Sequence, residues 1–158
     1  MDILIVCLGN ICRSPIAEGI LKDKVEKEGL NWIVESAGTN GFHDGEHPHQ
    51  LSTKICLQNG IDISSQRSRK FIKKDLLEYD LIFAMANDVI FDIQRIAQDE
   101  YREEKVQLFL EPLYPGKLQN VPDPWYGTEK DFVEVYALID KACDAIINQY
   151  ANHQKQFS

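Results

Sequence analysis

Cys7 and Arg13 stand with five residues between them in residues 3–18, ILIVCLGNICRSPIAE. Glycine, asparagine, serine and proline fill the spaces around them. Those types at those spacings suit attack by sulfur on a tetrahedral anion. Ser14 fits a helix N-cap, and Pro15 fits the first helical position, where a missing N–H costs nothing. The loop then runs into a helix N-terminus, whose free N–H groups and positive dipole end face back into it. Gly9 and Asn10 tolerate the left-handed backbone angles that turn successive amides toward one centre. Leu8, Gly9, Asn10, Ile11, Cys12, Arg13 and Ser14 would then cradle an anion such as phosphate. Arg13 offers a fork that grips two of its oxygens. A positive environment of this kind favours thiolate over thiol, and a thiolate beneath a phosphorus atom is a nucleophile. A cysteine closing an apolar strand is otherwise a small core residue. The spacing of its polar neighbours decides for chemistry.

Thiolate attack on a phosphate monoester expels an alkoxide or phenoxide, which needs a proton. Residues 111–127, EPLYPGKLQNVPDPWYG, are rich in turn formers and hold a candidate donor. Asp123 lies between Pro122 and Pro124, which stiffen the loop and push Asp123 out of the helical region. An acid on a separate stiff loop can protonate the leaving group and then, as a carboxylate, activate water.

CLGNICRSPIAE at residues 7–18 resembles the phosphate-binding loop of the low-molecular-weight protein tyrosine phosphatases, and DPWYG at 123–127 resembles their acid loop. The resemblance covers essentially the whole chain. It implies hydrolysis of phosphotyrosine and small aryl phosphates through a cysteinyl-phosphate, with no metal or organic cofactor. Cys7 is then the nucleophile, Arg13 the phosphate and transition-state ligand, and Asp123 the acid and later base. Ser14 would donate to the Cys7 sulfur. Phe42, Trp125 and Tyr126 would wall a slot deep enough for a phenyl phosphate and too deep for phosphoserine. In relatives with a cysteine at the place of Cys12, that thiol forms a reversible disulfide with the nucleophile, which implies a redox pair of Cys7 and Cys12. Many relatives carry a histidine where Gln66 stands and use it to hold the loop asparagine, here Asn10. This chain departs there, so Gln66 or another residue must brace Asn10. Two other readings are a thiol-dependent arsenate reductase of the same fold and a catalytically silent phosphotyrosine-binding module. The first needs a nearby pair of further cysteines, and Cys56 and Cys143 are isolated.

The elements that would position these residues follow from periodicity. Residues 2–6 are a short apolar run, suited to a buried parallel strand. Ile16, Ala17, Ile20, Leu21 and Val25 share one helix face, and Gly29 suits the C-cap. Residues 32–35 read as a second strand, 79–85 as a third and 106–110 as a fourth. Helices are expected around Leu51, Ile55 and Cys56, after a cap at Asn87 or Asp88, and from Thr128, with Asp131 acting as the capping-box acid. In the last helix Phe132, Val135, Tyr136, Ile139, Cys143, Ile146, Ile147 and Tyr150 form one apolar stripe. Strands alternating with helices predict a single α/β domain over residues 1–158. It is a doubly wound four-stranded parallel sheet with helices on both faces and the phosphate loop after the first strand. Residues 151–158 are expected to fray. His43, His47 and His49 read as solvated loop histidines, without the spacing of a metal site. The basic run at 66–74 reads as a solvated surface.

The chain has 158 residues, 44% hydrophobic and 27% charged, as expected of one soluble domain with one core. A net charge of −8 argues against nucleic acid as a partner. No run approaches the roughly 20 apolar residues of a membrane span. The start MDILIVC lacks the marks of a signal peptide. Four cysteines without a disulfide framework suit a reducing cytoplasm. The expected partner is a phosphotyrosine protein or aryl phosphate, bound by a monomer or weak dimer.

Overall fold

The computed structural model describes residues 1–156, with side chains through 151. The first element, β1 (Asp2–Cys7), is followed by α1 (Arg13–Lys27) and β2 (Ile33–Gly38). Then come α2 (Gln50–Gln58), the single turn α3 (Asp75–Glu78), β3 (Leu81–Ala84), α4 (Asn87–Ala97), β4 (Val106–Leu108) and the long α5 (Glu129–Gln156). The four strands form one parallel sheet in the order β2-β1-β3-β4. The chain steps outward from β1 to β2 and then returns to β3 on the other side of β1. Cys7, paired with Gly38 at the carboxyl end of β1, therefore lies where the winding reverses. That crevice is where open parallel sheets bind ligands.

The two-residue period of β1 serves two cores. Ile3, Ile5 and Cys7 face one layer, with α1 and α5 packed over them; Leu4 and Val6 face the other, beneath Val89, Ile93 and Ala97 of α4. The sheet is thus covered on both faces, as its uninterrupted apolar runs require. Every expected core position of α1 is buried, and so are Cys56 and Cys143. Gly29 takes a left-handed φ of 65° just past α1 and lets the helix stop there.

Several boundaries differ from the sequence reading. Helix α1 starts at Arg13, two residues early, and Ser14 lies inside its first turn with its hydroxyl turned to the site. Asn87 is the first residue of α4, whose N-cap is Ala86; its backbone N–H is met by Asn120 Oδ1 across the loop. Tyr79 stays outside β3, because the turn α3 occupies residues 75–78. Strand β2 begins at Ile33 and runs on to Gly38, and β4 stops at Leu108. At the start of α5, Asp131 accepts from the Thr128 N–H at 2.7 Å, the capping-box half expected of it. Helix α5 continues through Gln156, with Ala151 buried, where fraying was expected from 151; Phe157 and Ser158 lie outside the described residues.

Phe83 is fully buried on β3, with Phe109 edge-on at 5.9 Å and Tyr150 at 6.4 Å. Phe83→Ala is expected to cost about 3–5 kcal/mol, measured as a fall in the urea unfolding midpoint at unchanged m-value.

Candidate active site

Residues 7–13 wrap around the end of β1 with their carbonyls drawn outward. Thr39 N–H donates to Cys7 O at 3.1 Å, and Asn40 N–H to Leu8 O at 3.0 Å. The Ser68 hydroxyl donates to Gly9 O at 3.1 Å, His49 N–H to Ile11 O at 2.7 Å and the Ser52 hydroxyl to Cys12 O at 3.3 Å. In a planar trans peptide the N–H points opposite the C=O. The amides of Leu8, Gly9, Asn10, Cys12 and Arg13 therefore turn inward, and that of Asn10 donates to Cys7 Sγ at 3.2 Å. The reversal is made at Asn10, which holds a φ of 58°. Gly9 does not share that left-handed conformation, contrary to expectation. Its missing side chain leaves room instead for the His43 ring, whose Cδ2 would stand 3.1 Å from a Cβ there.

Asn10 is the hub of the loop. Its Nδ2 donates to Ser14 Oγ at 2.8 Å and to Ser36 Oγ at 2.9 Å, and its Oδ1 accepts from the Arg69 N–H at 3.0 Å. Ser36 passes its own proton to Glu18 Oε1 at 2.7 Å, and Lys22 holds the other oxygen of Glu18 at 2.8 Å. Ser14 Oγ, already accepting from Asn10, lies 3.0 Å from Cys7 Sγ and has its proton free for the sulfur. The segment carrying Arg69 is pinned in turn, because its guanidinium forms a fork on the buried Asp75 at 3.0 and 3.2 Å. Gln66 does not brace Asn10. Its amide nitrogen donates to Pro15 O at 3.1 Å, and its buried Oε1 has no hydrogen-bond partner among the described residues. The basic run also departs from the surface reading at Arg69, while Lys73 and Lys74 pair with surface acids.

Arg13 is buried beneath the acid loop. Its Nη1 donates to Val121 O at 3.0 Å, and its Nη2 lies 3.6 Å from Asp123 Oδ2. The other carboxylate oxygen of Asp123 accepts from the Trp125 N–H at 3.0 Å, closing a tight turn. Cys7, Arg13 and Asp123 thus line one cavity of about 280 Å³, together with Leu8, Gly9, Ile11, Cys12, Asn40, Phe42, His43, Trp125 and Tyr126. Phe42, Trp125 and Tyr126 are among these lining residues. Phe42 and Tyr126 stand largely in solvent, at 84% and 96% exposure, and Trp125 is the partly sheltered one at 38%.

Burial, reinforced by the nearby charges of Cys7 and Asp123, pushes the Cys12 thiol up to about 12. Cys12 is therefore a neutral thiol at the foot of the cavity. Two of the three loop histidines are not solvated as expected. His43 is held by Glu46 through Nδ1 and packs on Trp125 at 5.4 Å between ring centroids. His49 stacks on Phe132 at 4.9 Å, meets Trp125 edge-on at 5.5 Å, and accepts from Leu51 N–H as the N-cap of α2. Burial lowers its pKa, which favours the neutral ring that such an acceptor needs. Sequence reading missed Glu18, Ser36, Ser68, Arg69 and Asp75 entirely. They come from four separate segments, and no local spacing ties them to Cys7.

The whole chain has relatives of known kind. The profile of the family described as low molecular weight phosphotyrosine protein phosphatase matches residues 2–156. The low molecular weight phosphotyrosine protein phosphatase of Schizosaccharomyces pombe is 37% identical over 139 residues, 86% of this chain and 88% of its own. The Homo sapiens protein of the same description is 33% identical, with 94% of each chain covered. The crystal structure of a protein tyrosine phosphatase from Entamoeba histolytica, with Hepes in its active site, superposes with a TM-score of 0.89 at 33% identity, over 98% of this chain and 99% of that one.

Gly38 ends β2 against the anion loop, where a Cβ would meet Gly9 C and Leu8 O, both at 2.9 Å. Backbone cannot yield as a side chain does. Gly38→Ala is expected to leave the far-UV circular dichroism intact and weaken inorganic phosphate binding at least about tenfold, or 1.4 kcal/mol, by titration calorimetry.

Proposed function

Because the chain belongs to the low molecular weight phosphotyrosine protein phosphatase family, and so is a phosphoric monoester hydrolase, we propose that its site works as follows. Phosphotyrosine enters the slot with its phosphate over the inward amides and its ring among Phe42, Trp125 and Tyr126. Cys7 Sγ attacks phosphorus as the bond to the phenolic oxygen breaks, and Asp123 gives that oxygen a proton. Arg13 and the amides bind the equatorial oxygens, whose charge they meet already oriented. The product is a cysteinyl-phosphate. Asp123, now a carboxylate, takes a proton from water as that water attacks phosphorus and the P–S bond breaks. The departing thiolate is received by the Ser14 hydroxyl and the Asn10 amide, both already at hydrogen-bond distance.

One observation carries this reading: nucleophile, anion cradle, arginine and a proton donor from a distant loop meet in a single cavity. An arsenate reductase would need further thiols in reach, and Cys56 and Cys143 are in the core, away from the cavity lining. A silent binding module would have no use for Asp123 opposite Cys7. The redox pairing of Cys7 with Cys12 has weaker support. Cys12 lines the cavity, but its raised pKa makes the thiolate needed for disulfide formation scarce. All four cysteines are free thiols, which suits a reducing cytoplasm. Among the described residues no helix is long and apolar enough to cross a membrane. The substrate is a phosphotyrosine protein or an aryl phosphate, met by a monomer or weak dimer.

Steady-state hydrolysis of matched phosphotyrosine and phosphoserine peptides under reducing conditions tests the assignment. Turnover of the first and not the second is expected. Cys7→Ser should abolish turnover, and Asp123→Ala should lower kcat/KM by about 10²–10³-fold. Failure of the wild type on both peptides would overturn the reading.

A further inference from the structure

The acid loop is the most exposed part of the site. Residues 122–123 and 125–130 are all exposed, and the side chain of Asp123 is 44% accessible. A proton donor must nonetheless sit within hydrogen-bond reach of one oxygen. Two loop histidines that the reaction does not use offer the means. His43 and His49 approach the Trp125 ring at 5.4 and 5.5 Å, with tilts of 50° and 76°. The N–H of Trp125 is in turn the donor that holds Asp123 Oδ1 at 3.0 Å.

Both imidazoles are themselves tied to the nucleophile's loop. His43 is oriented by Glu46, whose carbonyl accepts from Ser68 N–H at 2.9 Å, and the Ser68 hydroxyl bonds Gly9 O. The edge of the His43 ring also lies against Gly9. The backbone N–H of His49 donates to Ile11 O, and its ring is fixed from behind by Phe132 and by the cap of α2.

We propose that His43 and His49 are positioning residues that clamp Trp125 and through its amide hold the Asp123 carboxyl in register with Cys7. The clamp rests on the phosphatase reading, because it gives the acid its place relative to the leaving group. It joins a rigid buried loop to an exposed one through a ring, where backbone contacts are few. A small misplacement of the acid then slows the step that needs its proton and spares a step that does not.

The test is the leaving-group dependence of kcat/KM, which reports the first chemical step. Phenolate, expelled from phenyl phosphate, needs a proton on departure, whereas 2,4-dinitrophenolate, expelled from its phosphate ester, leaves without one. His43→Ala, Trp125→Ala and His49→Asn would be compared with the wild type; asparagine keeps the N-cap acceptor and loses the ring. Each variant is expected to lose at least about tenfold more on phenyl phosphate than on the dinitrophenyl ester, in the direction of Asp123→Ala. Equal losses on the two esters, or no loss on either, would overturn the clamp while leaving the phosphatase assignment standing. A wild type that turns over neither ester would sink the assignment itself.

Discussion

A loop that binds an anion through its backbone must point its amides one way, and each planar peptide then points its carbonyl the other way. A carbonyl turned into the protein cannot be left unpaired without a cost of about 1–3 kcal/mol. The rest of the site depends on this constraint. Three neighbouring segments give donors to it: the extension of β2 through Thr39 and Asn40, the segment before α3 through Ser68, and the start of α2 through His49 and Ser52. The parallel pairing of β1 with β2 brings the first of these into place, with Gly38 allowing the two backbones to touch. The cradle is a property of four segments held together, and seven residues alone would not keep it open.

The polar cluster behind the loop follows the same logic one layer deeper. Asn10, Ser14, Ser36, Glu18 and Asp75 are all buried, and buried polar groups destabilise unless they are matched. Each finds partners here. The Arg69–Asp75 fork, an expensive arrangement to desolvate, holds the strip of backbone that meets Asn10 Oδ1. Gln66 lies beside this cluster without entering it. The brace for Asn10 comes here from Ser36 and the Arg69 amide.

The two halves of the site have opposite environments, and their chemistry needs that contrast. Cys7 and Arg13 are almost wholly buried, so their interactions with a bound phosphate act in a poorly screened setting. Asp123 stays open to solvent, which lets the proposed acid exchange protons with substrate and water. Arg13 spans both halves, reaching Val121 O and the Asp123 carboxylate from beneath.

Much of this was legible in the chain as written. Cys7 and Arg13 are neighbours by covalent connection, so their spacing alone brings them to one anion. The apolar run of β1 and the helical period of α1 predict their own burial, because each pattern has one solution in a two-faced parallel sheet. The stiff proline frame of Asp123 is itself written in the sequence, and the fold sets that residue in the cavity of Cys7. Ser14 and Asn87 were misread as caps: their side-chain chemistry suits a helix start, but here the partners lie across the fold, at Cys7 and at Asn120. Likewise His43 and His49 carry no local mark that separates them from the solvated His47. Sequence determined the reactive groups and the elements that carry them, since both depend on neighbours along the chain. Tertiary structure alone decided which polar groups brace the loop and which rings meet at Trp125, since those partners lie tens of residues apart and meet only when the sheet is assembled.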